Sequence, residues 1–239
     1  MVAIFKRELK SYFITPLGYV FIGVYVLFSG AFFYFFTLTT HSPTLGSANF
    51  APVFSMMFFV LMVTVPLLTM RLFSEEKRIK TDQLILTAPV SLFGLVWAKF
   101  AAAYSIFLFS TVIMPVYGIV LAQFTDVNWW TMLGNVMGIF MLGAVYISAG
   151  LFVSSLTENQ MVAAILSVFV NISFMLTSIA APHVGVRVLS DFIRALSLLE
   201  RYDRFTVGMF EVSNLLFFVS VTAVFLFLTV RVLERRRWA

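Results

Sequence analysis

From Ser11 to Met70 the chain carries no Asp, Glu, Lys or Arg, while Lys6, Arg7 and Lys10 precede that stretch and Arg71 ends it. A hydrocarbon slab of about 30 Å takes about 20 helical residues, and one charge at its centre costs about 2.5–3.5 kcal/mol. Sixty uncharged residues therefore hold two membrane crossings and a short reversal. The reversal fits His41-Ser-Pro-Thr-Leu-Gly46, which has turn-forming residues and no Lys or Arg.

The rest of the chain extends the pattern. Of 239 residues 61% are hydrophobic, 29 are Phe and only 11% are charged, and the mean hydropathy is +1.00, far from the balance of a soluble domain. Six spans are expected, over about 17–39, 51–70, 92–121, 131–154, 161–181 and 214–230, in one integral membrane domain covering 1–239. The net charge of +5 sits in clusters beside the spans, which suits anionic lipid rather than nucleic acid. Zero Cys rules out disulfides, iron–sulfur ligation and a thiol nucleophile. The N-terminus lacks a small-residue cleavage site after a short apolar core, so the first span is expected to stay as an uncleaved anchor.

The connecting segments carry the polar information. Residues 1–15 place Val2, Phe5, Leu9, Tyr12 and Phe13 on one stripe, with Lys6, Arg7, Glu8 and Lys10 opposite, before Thr15-Pro16 interrupts the helix; this is an interfacial pattern. After span two comes the densest short charge cluster, 71–82. There Ser74 is expected to cap a helix of about 75–87, with Glu75 and Glu76 in its first turn and Ala88-Pro89 disfavouring its continuation. Thr157-Glu-Asn-Gln160 fits a capping box before span five, and Trp129-Trp130 marks an interface. Between spans five and six, Arg187, Asp191, Arg194, Glu200, Arg201, Asp203, Arg204 and Glu211 break the rhythm. Leu189, Phe192, Ile193 and Leu196 nevertheless make an apolar helical stripe, so one or two short surface helices are expected there. Twelve Lys and Arg beside the termini and the 71–99 segment, against four elsewhere, put both termini in the cytoplasm.

Chemistry is sparse. No Gly is followed by Lys, so no P-loop holds ATP phosphates. His41 and His183 are isolated, without metal-ligand spacing, and no nucleophile elbow is present. Lys99 falls near the start of span three, and the predicted span interiors hold no ionisable group, so proton or sodium coupling lacks its usual residues. Asn171, followed by Ser173, Thr177 and Ser178, is the polar residue nearest a midplane; it serves interhelical hydrogen bonding or lines a substrate path. Gly134-x-x-x-Gly138 allows close helix approach, either inside the subunit or at a dimer seam.

At PLLTMRLFSEEKRIKTDQLILTAPVS, Pro66 to Ser91, the chain resembles the membrane subunit of ABC type-2 exporters. The amphipathic start FKRELKSYF, the SLTENQ turn, ERYDRFTVGMF and the ERRRW tail extend the resemblance over nearly the whole chain, and among subfamilies it most resembles gliding-motility-associated permeases of GldF type. The fold implied is all-α and integral to the membrane: six transmembrane helices with an N-terminal interfacial helix, a cytoplasmic coupling helix, and short re-entrant helices between spans five and six. The resemblance implies a half-transporter in the bacterial inner membrane, paired with a second permease as homodimer or heterodimer and resting on two copies of an ABC ATPase that binds ATP and Mg. This chain itself would hold no cofactor. ATPase coupling would fall to Ser74, Glu75, Glu76, Lys77, Arg78 and Asp82, with Glu158 in a second, smaller contact. Asn171, Ser173 and Thr177 would be pathway or packing residues, and Glu200, Phe205 and Gly208 would belong to the re-entrant segment. A membrane anchor that recruits an ATPase without moving solute is the alternative, and a secondary transporter a more distant one.

Overall fold

A computed structural model describes residues 2–39, 50–81, 91–124, 126–183, 190, 193–209 and 211–237, and among them the chain is helical with no strand. Among the described residues six segments are long and apolar enough to cross a membrane: Pro16–Leu38, Ala51–Arg78, Leu92–Leu121, Trp129–Leu156, Gln160–His183 and Val212–Arg237. They coincide with the six expected spans. The turn at His41 to Gly46, residues Asp82 to Val90, and Arg187, Leu189, Asp191 and Phe192 of the expected surface helix lie outside the described residues.

Helix α1 (Val2–Ile14) and α2 (Pro16–Phe32) meet at a corner. Thr15 closes α1 by donating from its N–H and its hydroxyl to the Ser11 carbonyl, at 3.0 and 2.8 Å. Pro16 opens α2 at a position where a missing N–H costs nothing. Gly18 then lies so close to α1 that a Cβ there would stand 2.6 Å from the Tyr12 carbonyl oxygen. The buried side of α1 follows the expected stripe only in part: Tyr12 is buried and Phe5 and Leu9 half-buried, whereas Val2 and Phe13 are exposed and Glu8, expected opposite, is half-buried. The helix has turned so that Glu8 reaches a buried lysine, an attraction that apolar periodicity does not register. Beyond α2 the chain tightens into a π-helical turn, Phe33–Leu38, with Phe33 stacked on Tyr117 at 4.7 Å between ring centroids.

Helix α3 (Ala51–Thr69) and α7 (Trp129–Leu156) form the centre of the bundle and are mostly buried, whereas α8 (Gln160–Ala180) buries only a narrow side. In lipid there is no hydrophobic drive between helices, so close backbone approach supplies much of the association. Small residues on α7 permit it. A Cβ at Gly150 would lie 2.1 Å from Thr69 Oγ1, and one at Gly138 2.9 Å from Phe205 Cβ. Gly138 of the G-x-x-x-G pair thus packs inside the subunit.

Pro66 sits within α3 and cannot donate to the Met62 carbonyl four residues back. Asn171 of α8, fully buried, supplies the missing donor: its Nδ2 lies 3.1 Å from that carbonyl oxygen. Span three is likewise broken, into α5 (Leu92–Thr111) and α6 (Ile113–Leu121). There Pro115 withholds the N–H that Thr111 would accept. Ser91, Asn128 and Asn159 cap α5, α7 and α8 through their side-chain oxygens. The expected capping box is therefore corrected. Asn159 is the cap, and Thr157 accepts only from the Asn159 N–H, at 3.2 Å, because α8 begins two residues later than the box requires.

Ser154 near one end of α7 bonds the Met70 carbonyl, and Asn135 near the other bonds the Thr206 carbonyl. At 1.5 Å per residue these two polar ends lie roughly 28 Å apart, close to the thickness of a hydrocarbon core.

Candidate functional site

The site begins where α3 ends. Ser154 Oγ accepts from the N–H groups of Phe73 and Ser74 at 3.1 and 3.2 Å and donates to the Met70 carbonyl at 3.0 Å. One hydroxyl of α7 thereby holds both sides of the turn that leads into α4 (Ser74–Arg78). Ser74 is not the cap it was expected to be. It lies inside the first turn, buried, with its hydroxyl donating back to the Met70 carbonyl, and Phe73 occupies the cap position without a side-chain bond. Glu75 and Glu76 do fall in the first turn and Lys77 and Arg78 in the last, the order that favours the helix dipole.

The helix closes sooner than the expected 75–87. Lys80 takes a left-handed φ of 57°, the Lys80 N–H donates to the Lys77 carbonyl at 3.0 Å and the Thr81 N–H to the Glu76 carbonyl at 2.9 Å. This is the closing turn usually given to Gly. Asp82 and the segment that follows it lie outside the described residues.

The inward side of α4 meets the largest departure from the sequence reading. Lys99, expected at the start of span three, lies two turns inside α5 and is 1% exposed. Its three ammonium hydrogens find three acceptors: Leu72 carbonyl at 2.7 Å, Glu76 at 2.9 Å and Glu8 at 3.2 Å. Arg7 adds a second cation, 2.7 Å from Glu8 and 3.0 Å from Glu76. Two cations and two carboxylates therefore close a neutral cluster that joins α1, α4 and α5, with the Lys99 ammonium also 5.1 Å from the centre of the Phe73 ring. Burial works to raise the Glu8 pKa, but Lys99 and Arg7 together outweigh it, and the carboxyl ends below its ordinary value. Arg7 is raised, chiefly through its hydrogen bond to Glu8. Glu75 forms a separate pair with Arg71 at 2.8 Å, and all these groups bound a cleft of about 510 Å³.

Lys77 is buried on the side facing α7 and donates to the Ser155 carbonyl. The outward side is different. Arg78 is exposed, and with Glu158, Asn159, Met70 and Met161 it lines a groove of about 420 Å³. Arg78 and the turn at Glu158 to Gln160, singled out separately in the sequence, thus share one surface.

At the other end of the bundle, α9 (Leu198–Thr206), capped by Ser197, inserts Tyr202 and Phe205 among the spans. The Tyr202 hydroxyl donates to the Phe54 carbonyl at 2.8 Å, and Gly208, with φ 82°, closes against Thr131. Glu200 stays exposed. Ser173 is exposed and Thr177 half-buried, and each hydroxyl bonds a carbonyl of its own helix, Phe169 at 2.8 Å and Phe174 at 2.7 Å. Among the described residues no group of His, Asp and Glu gathers as a metal site.

Sequence reasoning passed over Arg7, Glu8, Lys99 and Ser154. Lys99 carried a usable signal: a lone cation inside an otherwise apolar span requires a partner. Ser154 carried none.

A sequence model described as ABC-2 family transporter protein matches residues 30–231. No curated protein matches the chain.

Proposed function

We propose, from the premise that this chain belongs to the ABC-2 family of transporter proteins as a membrane permease subunit, that α4 and the α7–α8 turn are the surface through which a partner ATPase drives the spans. Permease subunits of this family lack an ATPase site, and ATP binding lies with the partner. The observation that carries the reading is the two-sidedness of α4. Arg78 shares an exposed groove with Glu158, while Glu76 and Lys77 on the same helix are bound inward to Lys99 and Ser155. A force applied to the outer side is thereby in series with α1, α5 and α7.

In this reading Arg78, Asp82 and Glu158 touch the ATPase, and a surface of both signs sets register and on-rate more than affinity. Ser74, Glu75, Glu76 and Lys77 anchor the lever. ATP shifts the spans only by its different affinities for two states of the complex, so the anchor must be stiff enough to transmit that difference. The whole chain, 1–239, acts as one domain of an exporter in the bacterial inner membrane, both termini cytoplasmic, paired with a second permease, as homodimer or heterodimer, above two ATPase copies that bind ATP and Mg. Asn171, Ser173 and Thr177 border the route or its packing. The 182–211 segment, with Glu200, Phe205 and Gly208, re-enters the bilayer and closes the outer end. The subfamily proposed is the GldF type.

The test is co-purification with a partner ABC ATPase subunit. Arg78→Glu with Glu158→Lys should abolish association while membrane insertion persists. Undiminished association would overturn the assignment.

A further inference from the structure

A second concentration of charge lies at the end of the bundle away from Lys99. Arg194, Arg201, Arg204, Glu200, Glu211 and Asn214 line a cavity of about 360 Å³ between α9 and the start of α10 (Val212–Arg237). Its charges are unequally satisfied. Arg204 is spent on Glu211, with Nη1 at 2.9 and 3.0 Å from the two carboxylate oxygens. Arg201 is held by neutral groups alone: Nη1 donates to Asn214 Oδ1 at 2.9 Å, Nε to the Ala195 carbonyl at 3.0 Å, and the guanidinium lies 4.2 Å from the centre of the Phe217 ring. Among the described residues neither Arg201 nor the exposed Arg194 has a carboxylate within ion-pairing distance.

An oriented guanidinium without a counter-ion is a prepared anion site, since its rotamer entropy has already been spent on Asn214 and Phe217. The electrostatics agree with the geometry. Burial and the like charge of Arg204 pull the Arg201 pKa below its ordinary value, against the opposing pull of Glu211. An anion in the cavity would relieve both. Glu200 does not supply that charge to Arg201; its field is felt at Asp203, whose carboxyl is raised by burial and by Glu200.

Depth narrows the ligand. Gly208, just past α9, abuts Thr131 in the first turn of α7. Trp129 and Trp130, which open that turn, are 47% and 73% exposed. An exposed Trp pair marks the headgroup level of a bilayer, and the phosphate is the anion found there.

We propose that Arg194 and Arg201, flanked by Arg204, form a binding site for a phosphate-bearing group at the headgroup level of the leaflet facing α9. Fork-shaped guanidinium donors match tetrahedral phosphate oxygens. The same chemistry is carried by a phospholipid headgroup and by free phosphate, and the experiment separates them.

Full-length permease in neutral detergent is to be examined by native mass spectrometry with phosphatidylglycerol, and with diacylglycerol of the same chains. Retention of phosphatidylglycerol over diacylglycerol is expected, falling about tenfold in Arg194→Gln and further in the Arg194→Gln/Arg201→Gln pair, as the loss of a charge-assisted contact implies. Arg194 is exposed, so its substitution leaves the fold intact. Arg231→Gln, at the other end of the bundle, should bind like wild type. Inorganic phosphate is then added as competitor: displacement of the lipid assigns the site to phosphate from either source, and no displacement assigns it to the headgroup. Equal retention of the two lipids without a phosphate-dependent rise in melting temperature, or retention unchanged in Arg194→Gln, would overturn the proposal.

Discussion

The Lys99 ammonium lies 2.9 Å from the Glu76 carboxylate, joining the third span to the short helix that follows the second. Removing one partner of a buried charge set strands the others, at a cost of about 3–5 kcal/mol. Lys99→Met should therefore lower the melting temperature strongly. The triple variant Lys99→Met/Glu8→Gln/Glu76→Gln should regain most of that stability, because no charge is left buried. Thermal unfolding in detergent measures the recovery, and transport-coupled ATPase activity should stay low in both variants because the link between α4 and α5 is gone.

Acid should undo the same cluster. Glu8 is more acidic folded than its ordinary value of 4.5, so the unfolded chain binds more protons across that interval. The contribution of Glu8 is complete above about pH 4.5 and is lost as pH falls through the lower folded value. Protection of α1 amides, taken relative to intrinsic exchange at each pH, should fall below about pH 4.5 in wild type, and the onset should move upward in Lys99→Met, where the lowering charge is absent.

Asn171 and Pro66 should couple. Replacing Asn171 by Leu leaves the Met62 carbonyl buried and unpaired, at a cost of about 1–3 kcal/mol. In a Pro66→Ala background the new backbone N–H takes over that carbonyl, and Asn171→Leu should cost little. A double-mutant cycle of unfolding free energies reads the coupling directly. Full transport activity in the double variant would also show that Asn171 packs rather than lines a route.

Overpacking should separate α7 from α3. A methyl at Gly150 meets Thr69 Oγ1 at 2.1 Å and Cβ at 2.9 Å, and strain of this kind costs about 1–3 kcal/mol. Gly150→Ala should destabilise by that order, and Thr69→Ala, which removes the nearer atom, should restore part of the loss. Melting temperatures of the single and double variants decide it.

Much of the architecture was legible because spans are written in composition. A run from Ser11 to Met70 without charge has few ways to fold, and all six spans follow from counting. The direction of individual charges was not legible in the same way. Glu76 faces inward because of Lys99 and Arg7, 23 and 69 residues away, and no local period encodes such a partner. Glu8 was assigned to the polar side of α1 for the same reason: helical periodicity sorts side chains by polarity, whereas a buried cation inverts that order locally. The caps misplaced at Ser74 and Thr157 failed differently. At Thr157 the neighbouring Asn159 takes the cap, whereas at Ser74 the cap position falls on Phe73, which makes no side-chain bond; in both, where the chain leaves the neighbouring helix decides. The union of Arg78 with Glu158 in one groove needed α3, α4 and α7 in place before it was visible at all.

Gly18 has a consequence for motion. With hydrogen alone between it and the Tyr12 carbonyl, the elbow between the first two helices is fixed by contact and has no slack to absorb rotation. Whatever tilts the amphipathic arm must swing the first membrane helix along with it, as a crank turns its shaft.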